Sequence, residues 1–180
     1  SYNGATPSDG CINNTTLLGS YSTAYQVPTS ANSMIVKVFL TSVSSGAKKT
    51  SYYANDNCTS PLGYHQINYK NIKVGSLVST PSGSPRPNYA YQVTYEYKDI
   101  ITKAVANDTP TLSLLNSKNG GSGISHTVNV PQTTKLSSIT WFDIWARATL
   151  SGNIWFLMGN ASSSTYPTDW TVYDDVLFLQ

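Results

Sequence analysis

Charge is what this sequence has least of. Only 11% of its 180 residues are Asp, Glu, Lys or Arg, against roughly 25% in ordinary soluble domains. Glutamate occurs once, at Glu96, and histidine twice, at His65 and His126. The basic residues form no run longer than Lys48-Lys49, and the net charge is +2. Phosphate neutralisation needs a basic stripe, so no nucleic-acid partner is expected. No apolar stretch approaches the roughly 18 residues of a span, so no membrane insertion is expected either. No segment reads as a signal peptide. The sequence also lacks a GxSxG elbow, an HExxH pair, a Walker loop and a dinucleotide fingerprint.

Cysteine is scarce too. Cys11 and Cys58 both lie in Asn-rich, turn-like stretches, CINNTT and ANDNCTSP. Buried free cysteines usually occupy apolar strands, so this setting favours a Cys11–Cys58 disulfide and an oxidising, extracellular or cell-surface location. Two unrelated thiols are the alternative. A metal site ranks third, since neither cysteine has a CxxC partner. Five N-x-[ST] sequons occur, but roughly four would arise by chance in a chain so rich in Asn, Ser and Thr. Glycosylation is not inferred.

What the chain does have is aromatics, 12% of residues, including thirteen tyrosines and four tryptophans. That excludes the composition of a disordered chain. Long helical patterns are missing, and KDIITKAVA from Lys98 is the nearest candidate. Strands are predicted near 17–26, 34–43, 50–53, 66–78, 89–98, 100–105, 111–115, 125–130, 138–148, 154–158 and 170–179. Such a succession of short strands predicts an all-β antiparallel sandwich or jelly roll. The Pro/Ser/Gly-rich stretch STPSGSPRPN, residues 79–88, reads as a long surface loop within one domain spanning 1–180. Two halves of that length would each have a small core.

Side-chain alternation assigns faces. Met34, Val36, Val38 and Leu40 share one face of MIVKVFLTSV, with Ile35, Lys37 and Phe39 on the other, so this strand is expected to be central in its sheet. Tyr89, Tyr91, Val93, Tyr95 and Tyr97 share one face of YAYQVTYEYK, which reads as one-sided burial.

In ITWFDIWARA, residues 139–148, Phe142, Ile144, Ala146 and Ala148 alternate with Trp141, Asp143, Trp145 and Arg147. An unpaired charge in a dry core costs several kcal/mol. The Phe142 set is therefore expected inside and the Trp set outside. A three-residue hairpin loop, Leu150-Ser151-Gly152, would pair Ala148 with Ile154, Ala146 with Phe156 and Ile144 with Met158. It would also bring Trp155 opposite Arg147, where a cation–π contact is expected. Trp141, Trp145 and Trp155 could then stack on a sugar, with Asp143 and Arg147 fixing its hydroxyls. The same rings could instead be core, lie under a loop, or meet another subunit.

In the closing DWTVYDDVLFLQ, Asp174 shares a face with Trp170, Val172, Val176 and Phe178. It requires a partner, either a calcium ion or backbone N–H groups. TVYDDVLFL resembles the closing strand of galactose-binding-like jelly-roll carbohydrate-binding modules. The succession YAYQVTYEYK, TLSLLNS, ITWFDIWARA, NIWFLMG resembles their strand order over roughly residues 89 to 179. The resemblance implies a structural calcium held in part by Asp174, and oligosaccharide or polysaccharide binding. The segment LLGSYSTAYQVPTSANSMIVKVFL resembles parts of viral and phage surface proteins.

The expected function is non-catalytic glycan binding by a secreted or surface-exposed, lectin-like module. The first alternative is a virion, tail-fibre or adhesin module, a possible homo-oligomer, that binds a receptor. The second is a polysaccharide-active enzyme, in which His65 or His126 or a carboxylate pair would act.

Overall fold

The computed structural model describes residues 11–13, 27–81, 87–119, 125–150, 153–170 and 175–178. The chain is all-β and antiparallel. Among the described residues its strands form one nine-stranded sheet. They are β1 (Cys11–Asn13), β2 (Ser33–Ser42), β3 (Ser45–Tyr53), β4 (Pro61–Ser79), β5 (Tyr89–Ala104), β6 (Gln132–Lys135), β7 (Thr140–Leu150), β8 (Asn153–Met158) and β9 (Asp175–Phe178). One helix, α1 (Thr109–Lys118), follows β5.

The sheet runs β1-β2-β3-β4-β5-β7-β8-β9, with β6 also paired to β5. Strand β5 is long enough for two partners on one side. Its first half, Tyr91–Glu96, pairs with β7. Its second half, Asp99–Thr102, pairs with β6. The sheet curls until β9 approaches β2. The main core cluster shows the same curl, because it gathers Met34 and Val36 of β2, Tyr52 of β3, Tyr69 and Ile72 of β4, Val93 and Tyr95 of β5, Trp145 of β7 and Met158 of β8. Strands so far apart in the ladder can share a cluster only across a concave face.

A smaller cluster lies on the opposite face, where Ile144 and Ala146 of β7 and Leu157 of β8 pack with Ala90 and Trp170. Trp170 Nε1 donates to Pro87 O at 2.9 Å and to Thr80 Oγ1 at 3.2 Å. The segment after β8 is thereby pinned to the base of the 79–88 loop. Strands β4 and β5 pair on either side of that loop, Ser79 opposite Tyr89, and Thr80 N donates to Asn88 O at 3.0 Å.

Several local expectations are corrected. Residues 111–115 are helical, not a strand. Asp108 caps α1 by accepting from Thr111 N at 2.9 Å, and Pro110 stands in the first turn, where its missing N–H costs nothing. The helix lies over Gly63. A Cβ there would come 2.8 Å from Lys103 O and 3.2 Å from Leu115 Cδ1, so only glycine permits this approach. The stretch from Lys98, read as the best helix candidate, is instead the second half of β5. Its β-branched Ile100, Ile101 and Thr102 suit a pleated strand. Residues 125–130 form no strand, and the ladder resumes at β6. The strand predicted at 17–26 lies outside the described residues.

The disulfide is present, Cys11 to Cys58, with Cα atoms 5.9 Å apart. It ties β1 to the turn after β3, and Cys58 takes a left-handed backbone, φ 55°.

Candidate functional site

The tryptophan strand does not face outward. Trp145 is 6% exposed and Asp143 fully buried, and Trp141 packs half-buried on the main cluster. Phe142, Ile144 and Ala146 are covered as well: Phe142 meets Tyr166 edge-on at 5.1 Å, and Ile144 and Ala146 belong to the second cluster. Both faces of β7 are therefore buried. Of the four residues expected outside, only Arg147 is exposed.

The hairpin register differs by one residue. Trp145 opposes Met158, Ala146 opposes Leu157, Arg147 opposes Phe156, Ala148 opposes Trp155, and Leu150 opposes Asn153. Leu150 thus belongs to the ladder rather than to the turn, and Trp155 stands opposite Ala148, not Arg147. Both registers set apolar residues opposite one another along most of the ladder, and both leave Arg147 opposite a ring, Trp155 in the expected register and Phe156 in the observed one. Period-two patterning selects a register only when one face is wet. The side chain of Trp155 lies outside the described residues.

Burial of Asp143 is met by donors. Its Oδ2 accepts from Trp145 Nε1 at 2.7 Å and, more weakly, from Tyr95 Oη at 3.4 Å. Its Oδ1 accepts from Ile144 N at 2.8 Å. Charge-assisted bonds of this length offset much of the desolvation that would expel a bare carboxylate. The segment after β8 closes over this point: Gly159 N donates to Ile144 O, and Ser162 exchanges backbone bonds with Phe142. A Cβ on Gly159 would lie 2.7 Å from Ile144 Cγ1 and 2.8 Å from Asp143 Oδ1.

Around Asp143 the rings form a connected row. Trp141 meets Tyr97 at 5.2 Å, Tyr97 meets Tyr69 at 5.8 Å, Tyr69 meets Tyr95 at 5.0 Å, and Tyr95 meets Trp145 at 5.6 Å. These offset and edge contacts are of the kind that fixes ring orientation. Three of these rings, Tyr69, Tyr95 and Tyr97, line a partly open recess of about 180 Å³ together with Lys48, Ile67, Asp143, Met158, Gly159 and Ala161, with exposed Asn160 at its margin. Such a volume holds about six water molecules. Burial raises the phenols of Tyr69, Tyr95 and Tyr97, and the Asp143 carboxylate adds to the rise. Burial pushes the Lys48 ammonium down to about 8, with Asp143 offsetting part of the drop. Neutral phenols, a carboxylate and a partly neutral amine give the recess hydrogen-bond donors and acceptors within an aromatic wall.

Of the residues singled out in the sequence, Asp143 lines this recess, Trp141 and Trp145 back its wall, and Arg147 stands away on the surface. Sequence reasoning missed Lys48, Tyr69 and Asn160. Lys48 shares strand parity with Thr50 and Tyr52, an alternation that pointed it to the tyrosine face. Asp174 lies outside the described residues. Among the described residues, no three His, Cys, Asp or Glu side chains gather as a metal site.

The histidines serve elsewhere. His65 is 5% exposed, and its Nδ1 meets Tyr52 Oη at 3.1 Å. Burial pushes its imidazole down to about 3, with Lys118 and Lys48 adding to the fall. His126 joins α1 to β5: Nδ1 meets Asn116 Oδ1 at 2.6 Å and Nε2 meets Thr102 Oγ1 at 2.9 Å. The hydroxyl–imidazole–amide chain has the distances of a nucleophile with its base. Thr102, however, is fully buried and its oxygen already accepts from Asn119 Nδ2 at 2.7 Å. The network reads as a fastening of helix to sheet.

No protein-family model and no curated protein matches the chain. No helix among the described residues is long and apolar enough to cross a membrane.

Proposed function

We propose that the chain is a non-catalytic carbohydrate-binding module that seats a sugar in the tyrosine recess. The recess that Lys48, Tyr69, Tyr95, Tyr97 and Asp143 line together carries this reading. Ring faces suit the C–H face of a pyranose, and a carboxylate beside an amine suits its hydroxyls. In this reading Asp143, buried and bonded to Trp145 and Ile144, lines the recess, and Trp145 supports it from behind rather than stacking. The carboxylate in the recess is bonded to Trp145 and Ile144, and no second carboxylate lines the recess among the described residues. Glycosidase chemistry calls for a pair. A disulfide supports an oxidising compartment and hence a secreted or surface-exposed module.

A second reading, a fibre or adhesin module, draws on a different surface. Val74, Leu77, Tyr89 and Tyr91 are 64%, 56%, 44% and 46% exposed on the β4–β5 arm, an apolar group of the kind that meets partner chains. A glycan array on the intact chain tests the first reading. Retention that falls at least tenfold in Lys48→Gln or Tyr97→Ala, at unchanged melting temperature, supports it; retention indifferent to both overturns it. An oligomer in sedimentation equilibrium that Leu77→Asp dissociates supports the second.

A further inference from the structure

Lysines that are scattered in the sequence are gathered by the sheet. On the face opposite the tyrosine recess, cross-strand neighbours form rows. Lys37 of β2 stands opposite Lys49 of β3, Lys49 opposite Gln66 of β4, Gln66 opposite Ile101 of β5, and Ile101 opposite Thr133 of β6. In the adjacent row Ser51 stands opposite Tyr64, and Tyr64 opposite Lys103. These side chains are exposed or half-buried, whereas Thr50, His65 and Thr102, which alternate with them, are buried. We propose that this outer face of β2–β5 docks a sulfated polysaccharide along Lys37, Lys49 and Lys103. The face is separate from the recess, so docking here holds or fails independently of sugar binding there.

Charge selects the occupant. Like charges directly opposite one another on a sheet repel, and Lys37 faces Lys49. Lys49 Nζ lies 3.8 Å from the centroid of the Tyr64 ring, and Tyr64 is the cross-strand neighbour of Lys103. Burial lowers the Lys49 ammonium, and Lys103 and Lys37 press it the same way, so both stand within its field. On the far side of the Lys37 row, Asp99 accepts from Asn68 Nδ2 and faces Lys135. It is the one carboxylate on the three rows among the described residues. Strands in a sheet stand about 4.8 Å apart, which puts the Cα atoms of Lys49 and Lys103, two strands and one row apart, roughly 12 Å from each other. A single small anion cannot span that distance, whereas a polymer with repeated negative groups can. Ser51, Gln66 and Thr133, interleaved with the lysines, offer hydrogen bonds to sugar hydroxyls. Single-stranded nucleic acid binds through rings left open for stacking, and Tyr64, the one ring on the two lysine rows, carries Lys49 over its face.

The intact chain is passed over immobilised dextran sulfate at low salt, with dextran and polyglutamate as comparison matrices. Salt-reversible retention on dextran sulfate, well above that on the other two, is expected. The double variant Lys49→Gln with Lys103→Gln is expected to bind about tenfold more weakly and with a flatter salt dependence, at an unchanged melting temperature. Lys73→Gln with Lys98→Gln removes the same charge from two exposed positions outside the cluster, and is expected to bind like the parent. On the parent chain, which requires no variant to fold, bound dextran sulfate is expected to shield Lys49 and Lys103 from acetylation and to leave Lys73 and Lys98 reactive, read by peptide mass mapping. Absence of retention on dextran sulfate, equal retention on polyglutamate, equal weakening in the two double variants, or equal shielding of all four lysines each overturns the proposal.

Discussion

Trp145 Nε1 donates to Asp143 Oδ2 at 2.7 Å, between two residues on one face of β7, both buried. The bond explains how a carboxylate stands inside an aromatic core. It also makes each side chain a condition for the other. Asp143→Ala leaves the indole N–H unpaired and opens a void beneath Gly159. A loss of about 2–4 kcal/mol is expected, read from urea denaturation. Asp143→Asn keeps one acceptor and is expected to cost less.

Trp145→Ala removes a ring packed against Tyr95 and Phe156. A destabilisation of about 3–5 kcal/mol is expected. Trp141 is only half-buried, and Trp141→Ala should cost less than Trp145→Ala in the same denaturation series. Equal costs would contradict the placement of Trp145 in the core.

His65 links stability to acid. Its folded-state value is depressed to about 3, below the ordinary 6.5. Between those two values the unfolded chain binds a proton that the folded chain refuses. Stability from this group is whole above pH 6.5 and is lost as pH falls towards 3, by about 1.4 kcal/mol per unit inside the window. Melting temperature measured from pH 7 to pH 4 should fall, and His65→Gln should flatten part of that slope.

The Cys11–Cys58 bridge spans a sequence separation of 47. Chain-entropy arguments give such a loop about 4 kcal/mol of stabilisation. Reduction should lower the melting temperature measurably, and Cys11→Ser with Cys58→Ser should reproduce the reduced value.

Gly159→Ala tests the closure over Asp143. The added methyl meets Ile144 and Asp143 at under 3 Å. Overpacking of this kind costs about 1–3 kcal/mol, and near-ultraviolet circular dichroism should report the shifted Trp145 ring.

Much of the fold was legible. Met34 and Val36 of MIVKVFLTSV and Val93 and Tyr95 of YAYQVTYEYK are buried on the faces that alternation marked, whereas Tyr89 and Tyr91, expected on the same buried face as Val93, are exposed. Helix α1 was also written in the chain, in Asp108 and Pro110, but its Thr-Leu-Ser-Leu-Leu run read equally as a strand. The same alternation misled at ITWFDIWARA. It sorted the two faces of β7 correctly and could not say that both are buried, since a buried carboxylate among local residues looks like a solvent-facing one.

By itself the sequence determined the strand-rich class, favoured the Cys11–Cys58 disulfide and set the side-chain parity of β2 and β7. These follow from composition and from a period of two, which are local. The tertiary structure alone decided which faces are enclosed and which charge is tolerated inside. Curling brings Lys48 of β3 and Asp143 of β7 to one recess, although they stand 95 positions apart. The segment after β8 covers the second face of β7. Burial of a charge depends on the donors that gather around it, and those come from residues that no local pattern connects.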